Sequence, residues 1–136
     1  MTKNMKPKLD HIGIAVRSIE AAKVYQALGL EIDHVETVES QGVKTAFLSV
    51  GDSSLELLEP ASPESPVGKF IEKRGEGIHH ICLRVENLDR ELARLKGLGF
   101  RLVNESGVPG AHGKRVAFLH PSAGNGVLIE LTEDGE

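Results

Sequence analysis

In Leu9-Asp10-His11-Ile12-Gly13-Ile14-Ala15-Val16 the part from His11 to Val16 reads as a strand, and the chain repeats it from His80 to Val85 in Ile78-His79-His80-Ile81-Cys82-Leu83-Arg84-Val85. In the first copy Ile12, Ile14 and Val16 share one face while His11, Gly13 and Ala15 share the other. In the second, Ile81, Leu83 and Val85 oppose His80, Cys82 and Arg84. An aliphatic face of this kind asks for a helix packed on it, and a helical run follows each strand. Ser18 is placed to cap Ile19 to Leu28, and Asn87 to cap Leu88 to Leu98, with Glu20 and Asp89 in the first turns where the helix dipole favours acids. Gly29 and Gly99 then stop the two runs.

Three strand-like segments follow in each half. They are Glu31 to Glu39, Lys44 to Val50 and Ser54 to Leu58, echoed by Arg101 to Asn104, Lys114 to Leu119 and Gly126 to Thr132. Local matches support the repeat: Gly29-Leu30-Glu31-Ile32 with Gly99-Phe100-Arg101-Leu102, and Thr45-Ala46-Phe47-Leu48 with Val116-Ala117-Phe118-Leu119. Ser62-Pro63-Glu64-Ser65-Pro66 links the halves, and Ser65-Pro66 supplies a cap and an N1 proline for a short helix Val67 to Lys73, ended by Gly75 and Gly77. The expected fold is therefore α+β: two tandem βαβββ modules forming a cupped mixed sheet with helices on the outer face. One domain is expected over residues 1–136, with repeat 1 at about 8–60, linker and short helix at 61–76, and repeat 2 at about 77–132.

Composition narrows the function class. A chain of 136 residues builds one real core. Sixteen basic against 20 acidic residues give a net charge of -4, which argues against a nucleic-acid surface. No stretch is apolar for the length a bilayer requires, and the basic start Met1 to Lys8 has no apolar run behind it, so a cytoplasmic protein with no membrane partner is expected. The single cysteine, Cys82, excludes an internal disulfide and fits a reducing compartment.

The halves also repeat a histidine and a glutamate. His11 and His80 lie 69 positions apart (80 minus 11), and Glu56 and Glu130 lie 74 apart (130 minus 56). Leu55 and Leu57 oppose Glu56, and Ile129 and Leu131 oppose Glu130, so both glutamates turn away from the helices, as the histidines do. A carboxylate on a buried strand is costly unless paired, hydrogen-bonded or bound to metal. His11, Glu56, His80 and Glu130 form a candidate site for one divalent ion per subunit, among Co, Mn, Ni, Zn and Fe. The alternative is that Asp10-His11 and His79-His80 are strand-end polar residues and that Glu56 and Glu130 pair with a nearby Lys or Arg.

These residues carry a resemblance. The tandem unit with His and Glu ends resembles the vicinal oxygen chelate superfamily, which includes glyoxalase I, extradiol dioxygenases and metal-free resistance proteins. The stretches Leu9 to Val16, Leu55-Glu56-Leu57-Leu58-Glu59-Pro60, Ser65 to Ile81, and Phe118-Leu119-His120-Pro121 with Gly126 to Leu131 are similar to its methylmalonyl-CoA epimerase branch. The resemblance implies that His11, Glu56, His80 and Glu130 are metal ligands. It also implies that methylmalonyl-CoA is the substrate, its 2R and 2S epimers interconverting through a metal-stabilised enolate by proton abstraction and return. A homodimer is implied too, in keeping with the open sheet edges of the repeats.

Some family members carry a non-ligand glutamate after the stretch matching Gln41-Gly42-Val43, and a glutamine at the position of Glu56. Here Thr45 stands in the first place, so Glu56 and Glu130 are expected to be the two catalytic acid-base groups. The other reading is a single swinging base, Glu130. Thr45, Lys114 and Arg115 are candidate substrate contacts, Arg115 for a phosphate of coenzyme A. The loop Gly107 to Gly113 is not a Walker motif, since Val108 replaces a glycine and a strand follows. Cys82 reads as a buried thiol; Phe47 and Phe118 as cavity walls or core; His34, His112 and His120 as surface or loop residues. A glycosidase is disfavoured by the absence of Trp and by one Tyr, Tyr25. The competing functions are a glyoxalase-type isomerase or lyase, an iron dioxygenase and a metal-free binding member of the fold.

Overall fold

The structure, a computed structural model, describes residues 6–133, so the basic start up to Met5 and the last three residues of the expected domain lie outside the described residues. The chain divides into two compact units: residues 11–79, and the part from His80 onward joined by the start of the chain up to Asp10. No helix among the described residues is long and apolar enough to cross a membrane.

In the first unit β1 (Lys8–Ala15) leads into a short 3-10 turn (Ile19–Ala21) and then α1 (Ala22–Ala27). The Ser18 hydroxyl accepts from the Glu20 amide, as the cap reading requires, and Gly29 ends the run at φ +103°. Then come β2 (Ile32–Val38), β3 (Val43–Val50), β4 (Ser53–Pro60) and α2 (Pro66–Arg74). The strands lie in the order β2-β3-β4-β1, with β1 and β4 parallel and the other pairs antiparallel.

Both sheet faces are put to use. Ala46, Leu48 and Leu57, with Ile14 and Leu55, pack against Ala22 and Tyr25 of α1. On the opposite face Ala15, Val43 and Leu58 meet Val67 and Ile71 of α2, so α2 closes one end of the face that carries His11 and Glu56. Helix α2 enters tightly. The Ser65 hydroxyl accepts from the Gly68 amide and donates to the Ser62 carbonyl, and a Cβ at Gly68 would stand 2.7 Å from the Pro63 carbonyl oxygen.

The second unit repeats the plan with β5 (Gly77–Val85), α3 (Leu88–Gly97), β6 (Val108–Pro109), β7 (Arg115–Phe118) and β8 (Leu128–Glu133), in the order β5-β8-β7-β6. Asn87 caps α3 by accepting from the Arg90 amide. Leu88 and Leu92 pack on Val85, Ala117, Leu119 and Leu131, with Ile129 at the margin. The expected helix faces are therefore realised in both halves.

One expected strand is not. Arg101 to Asn104 yields only a bridge between Leu102 and Leu119. The Asn104 side-chain oxygen accepts from the Phe118 amide at 2.9 Å, so a side chain takes the acceptor role a ladder carbonyl would fill, and the pairing stops. The third strand of this half is β6, inside the segment read from sequence as a loop, and Pro109 keeps it at two residues. The turn after it holds His112 and Gly113 at φ 59° and 69°, and the Gly110 amide donates to the Lys114 carbonyl, which fixes the start of β7.

Candidate metal and substrate site

Strand register carries the site. Within the first unit Glu56 stands opposite Gly13 on β1 and Phe47 on β3, while Thr45 stands between Leu58 and Glu36. Residues directly opposite share a face, so His11, Glu36, Thr45, Phe47 and Glu56 all project from the side away from α1. Gly13 places no side chain beside Glu56, and the carboxylate reaches diagonally to His11: Nδ1 lies 3.1 Å from Oε2. Both residues are buried, at 7% and 8% exposure.

The second unit builds the same figure. Glu130 stands opposite Cys82 on β5 and Phe118 on β7, and Thr132 stands opposite Arg84 and Val116. His80 Nε2 lies 3.1 Å from Glu130 Oε1, at 7% and 8% exposure. Gly13 and Cys82, Glu56 and Glu130, and Phe47 and Phe118 thus occupy equivalent register positions.

The donor chemistry fits a borderline divalent ion. In each half a buried imidazole nitrogen and a carboxylate oxygen point at one another, and both atom types are ordinary ligands of Zn, Co, Mn, Ni or Fe. Each carboxylate, a poor group to bury alone, already has one polar partner.

The remaining sequence candidates are distributed unevenly. Thr45 is buried on the face of Glu56. Lys114 is half-buried, with Nζ 3.6 Å from Asp10 Oδ1. Arg115 alternates to the other side: its guanidinium bonds both Asp89 oxygens at 2.9 and 3.1 Å and lies 3.5 Å from Glu133 Oε2, beside α3 rather than beside Glu130. Cys82 is fully buried, directly opposite Glu130. His34 is on β2 and stacks on Phe47 at 5.5 Å, while His79 meets Phe70 edge-on at 4.9 Å. His120 accepts from the Ser122 amide and so caps the turn Pro121–Gly124.

Two charged residues were missed as site candidates. Arg84 NH1 lies 3.7 Å from Asp10 Oδ1, the same oxygen that faces Lys114. Strand alternation puts Arg84 on the His80 face, whereas Asp10 precedes the strand read from sequence and gave no hint of this contact.

The family model for the glyoxalase/bleomycin resistance protein/dioxygenase superfamily matches residues 10–118. The chain is 45% identical over 128 residues to the uncharacterized protein YqjC of Bacillus subtilis, covering 93% of this chain and 91% of that protein. It is 41% identical over 131 residues to an ethylmalonyl-CoA/methylmalonyl-CoA epimerase of Cereibacter sphaeroides, covering 93% and 97%. A solved methylmalonyl-CoA epimerase in complex with methylmalonyl-CoA and NH4+ superposes with a TM-score of 0.87 at 38% identity, covering 96% of each chain.

Proposed function

From its place in the glyoxalase/bleomycin resistance protein/dioxygenase superfamily, to which the chain belongs, we propose that it interconverts the two epimers of methylmalonyl-CoA with the help of a divalent ion. The chain is an isomerase of the epimerase type. The observation that carries the metal-dependent reading is the buried imidazole–carboxylate pair, formed twice at matched register positions. His11, Glu56, His80 and Glu130 are the proposed ligands, gathered from both repeats of one functional domain. When bound, the ion supplies a Lewis acid for the acyl oxygens of the substrate.

The protein's own side chains move the proton. The substrate's reacting carbon lies between a thioester carbonyl and a carboxylate, which acidifies its hydrogen. One glutamate carboxylate takes that proton, and the carboxyl group of the other returns one to the opposite face, so the centre inverts and the two glutamates exchange protonation states. Glu56 and Glu130, arriving from different repeats, are assigned these roles. Thr45 and Phe47, on the face of Glu56, and Phe118, on that of Glu130, would wall the acyl group and exclude water. Arg115 would have to leave Asp89 and Glu133 to meet a phosphate of coenzyme A. A homodimer that covers open strand edges and a cytoplasmic location, in keeping with a chain that has a single, buried cysteine, complete the reading.

Deuterium wash-in tests it. Metal-loaded protein is incubated in deuterium oxide with one methylmalonyl-CoA epimer, and exchange and epimer composition are followed beside a chelated control. Metal-dependent exchange with inversion is the expected result. Exchange without inversion would remove the second acid, and no exchange in metal-loaded protein would overturn the epimerase reading in favour of a glyoxalase-type isomerase.

A further inference from the structure

Inversion by two carboxylates leaves a proton misplaced. Once one glutamate has taken the substrate's proton and the other has returned its own, the two carboxyl groups have exchanged protonation states, and the protein is set for the reverse conversion only. Each repeat of the forward conversion therefore needs one proton to leave the site and another to enter it. Glu56 is 8% exposed, so exchange on its side calls for groups that reach outward.

The face of Glu56 holds such groups in order. Across β2, β3 and β4 one register row contains His34, Phe47 and Glu56, and the next contains Glu36, Thr45 and Leu58. In the first row the buried Phe47 ring stands between the imidazole and the carboxylate and carries no proton. The second row leads round it. Thr45 is the diagonal neighbour of Glu56, at about 7–8 Å, a gap that side-chain length and one bridging water close, and it stands directly opposite Glu36, at a Cβ separation of about 4.5–5.5 Å. Glu36 Oε1 lies 3.4 Å from His34 Nε2. Exposure climbs along this line, from 3% at Thr45 to 31% at the Glu36 side chain and 51% at that of His34. The stack of His34 on Phe47, with ring centroids 5.5 Å apart, keeps the imidazole at the outer end of the line. A hydroxyl accepts and donates at once, a carboxylate accepts, and an imidazole gains and loses protons near neutrality.

We propose that Thr45, Glu36 and His34 form a proton-exchange path between Glu56 and bulk solvent. In the outward sense a proton passes from the Glu56 carboxyl group, through the bridging water, to the Thr45 hydroxyl oxygen, while the hydroxyl's own hydrogen passes to the Glu36 carboxylate. The acid so formed protonates His34, and the imidazolium releases the proton to water or buffer. Each O–H or N–H bond broken is matched by one formed, and the inward sense reverses every transfer. The path rests on the epimerase reading and its two-carboxylate scheme.

The test compares the first turnover with the repeated cycle. Metal-loaded protein converts one methylmalonyl-CoA epimer at neutral pH, with protein in excess and then with substrate in excess, in dilute and in concentrated MES, a weakly coordinating buffer. Glu36→Gln is expected to lower the steady-state rate in dilute buffer by about 10-fold, below the 10²–10⁴ of a group that acts on the substrate itself, and the first turnover by less than about 2-fold. Thr45→Val, which keeps the shape and loses the hydroxyl, should give the same pattern, and His34→Phe, which keeps a ring on Phe47, a milder one. Concentrated buffer should restore most of the lost rate in the Glu36 and His34 variants. Equal losses in the two regimes would place Glu36 in the chemical step or the fold and overturn the path. A steady-state loss that buffer leaves unrepaired would point to product release and overturn it equally, as would unchanged rates in Glu36→Gln and Thr45→Val. Wild-type protein that inverts neither in the first turnover nor in the steady state refutes the epimerase reading itself, and the path with it.

Discussion

Replacing Glu56 by glutamine isolates its chemistry from its shape. The amide keeps the volume and one oxygen that can accept from His11, now 3.1 Å away, but loses the charge and the basicity. Loss of a positioned general base typically slows a reaction by about 10²–10⁴, roughly 3–5 kcal/mol in the barrier. Turning a charge-assisted hydrogen bond into a neutral one costs only about 1 kcal/mol, because the buried His11 nitrogen retains a partner. Turnover and stability therefore separate: kcat falls by two to four orders of magnitude while the melting temperature drops by a few degrees. The assay follows each epimer separately in deuterium oxide, with metal content measured on the same sample. Inversion is lost in both directions, and exchange survives for the epimer whose hydrogen faces Glu130. Near-normal turnover with metal retained would refute the two-carboxylate scheme; Glu36, opposite Thr45 on the same face, would then be the next carboxylate to test.

Divalent ions should raise the melting temperature and chelation should lower it, by about 2.7 kcal/mol of stability at a hundredfold excess over Kd, and His80→Gln should abolish the response; no metal-dependent shift in wild type would contradict the ligand assignment. Two glycine substitutions should differ in kind. Gly99→Ala meets open space but sits at φ +96°, so urea unfolding should show a loss of about 1–2 kcal/mol. Gly68→Ala drives a methyl group into the backbone of Ser62 and Pro63 and should cost more, with disordering of α2 visible by hydrogen exchange. Leu92→Ala removes a fully buried side chain from between α3 and its sheet and should cost about 2–5 kcal/mol in the same unfolding assay.

Much of the architecture was legible because it is local. Ser18 and Asn87 announce helix starts by their own side-chain chemistry, and Gly29 and Gly99 announce the ends by tolerating a left-handed backbone. The alternation of Leu55, Glu56 and Leu57 needs only the pleat of a strand, so it separated the face packed on α1 from the face of Glu56, and the repeat then paired Glu56 with Glu130. Arg101 to Asn104 misled for the same reason: its strand-like composition is local, but the hydrogen bond from the Phe118 amide to the Asn104 side chain depends on a residue 14 positions away.

The sequence by itself determined two βαβββ modules, their capped helices, and, within each module, the face on which its histidine and glutamate stand. Only the tertiary structure decided that His11 meets Glu56 through Nδ1 and His80 meets Glu130 through Nε2, that Arg115 is spent on Asp89 and Glu133, and that Asp10 gathers Arg84 and Lys114. Periodicity fixes which way a side chain points. Which charge it meets depends on strand register and on distances of a few ångströms between segments remote in the chain, and packing alone sets those.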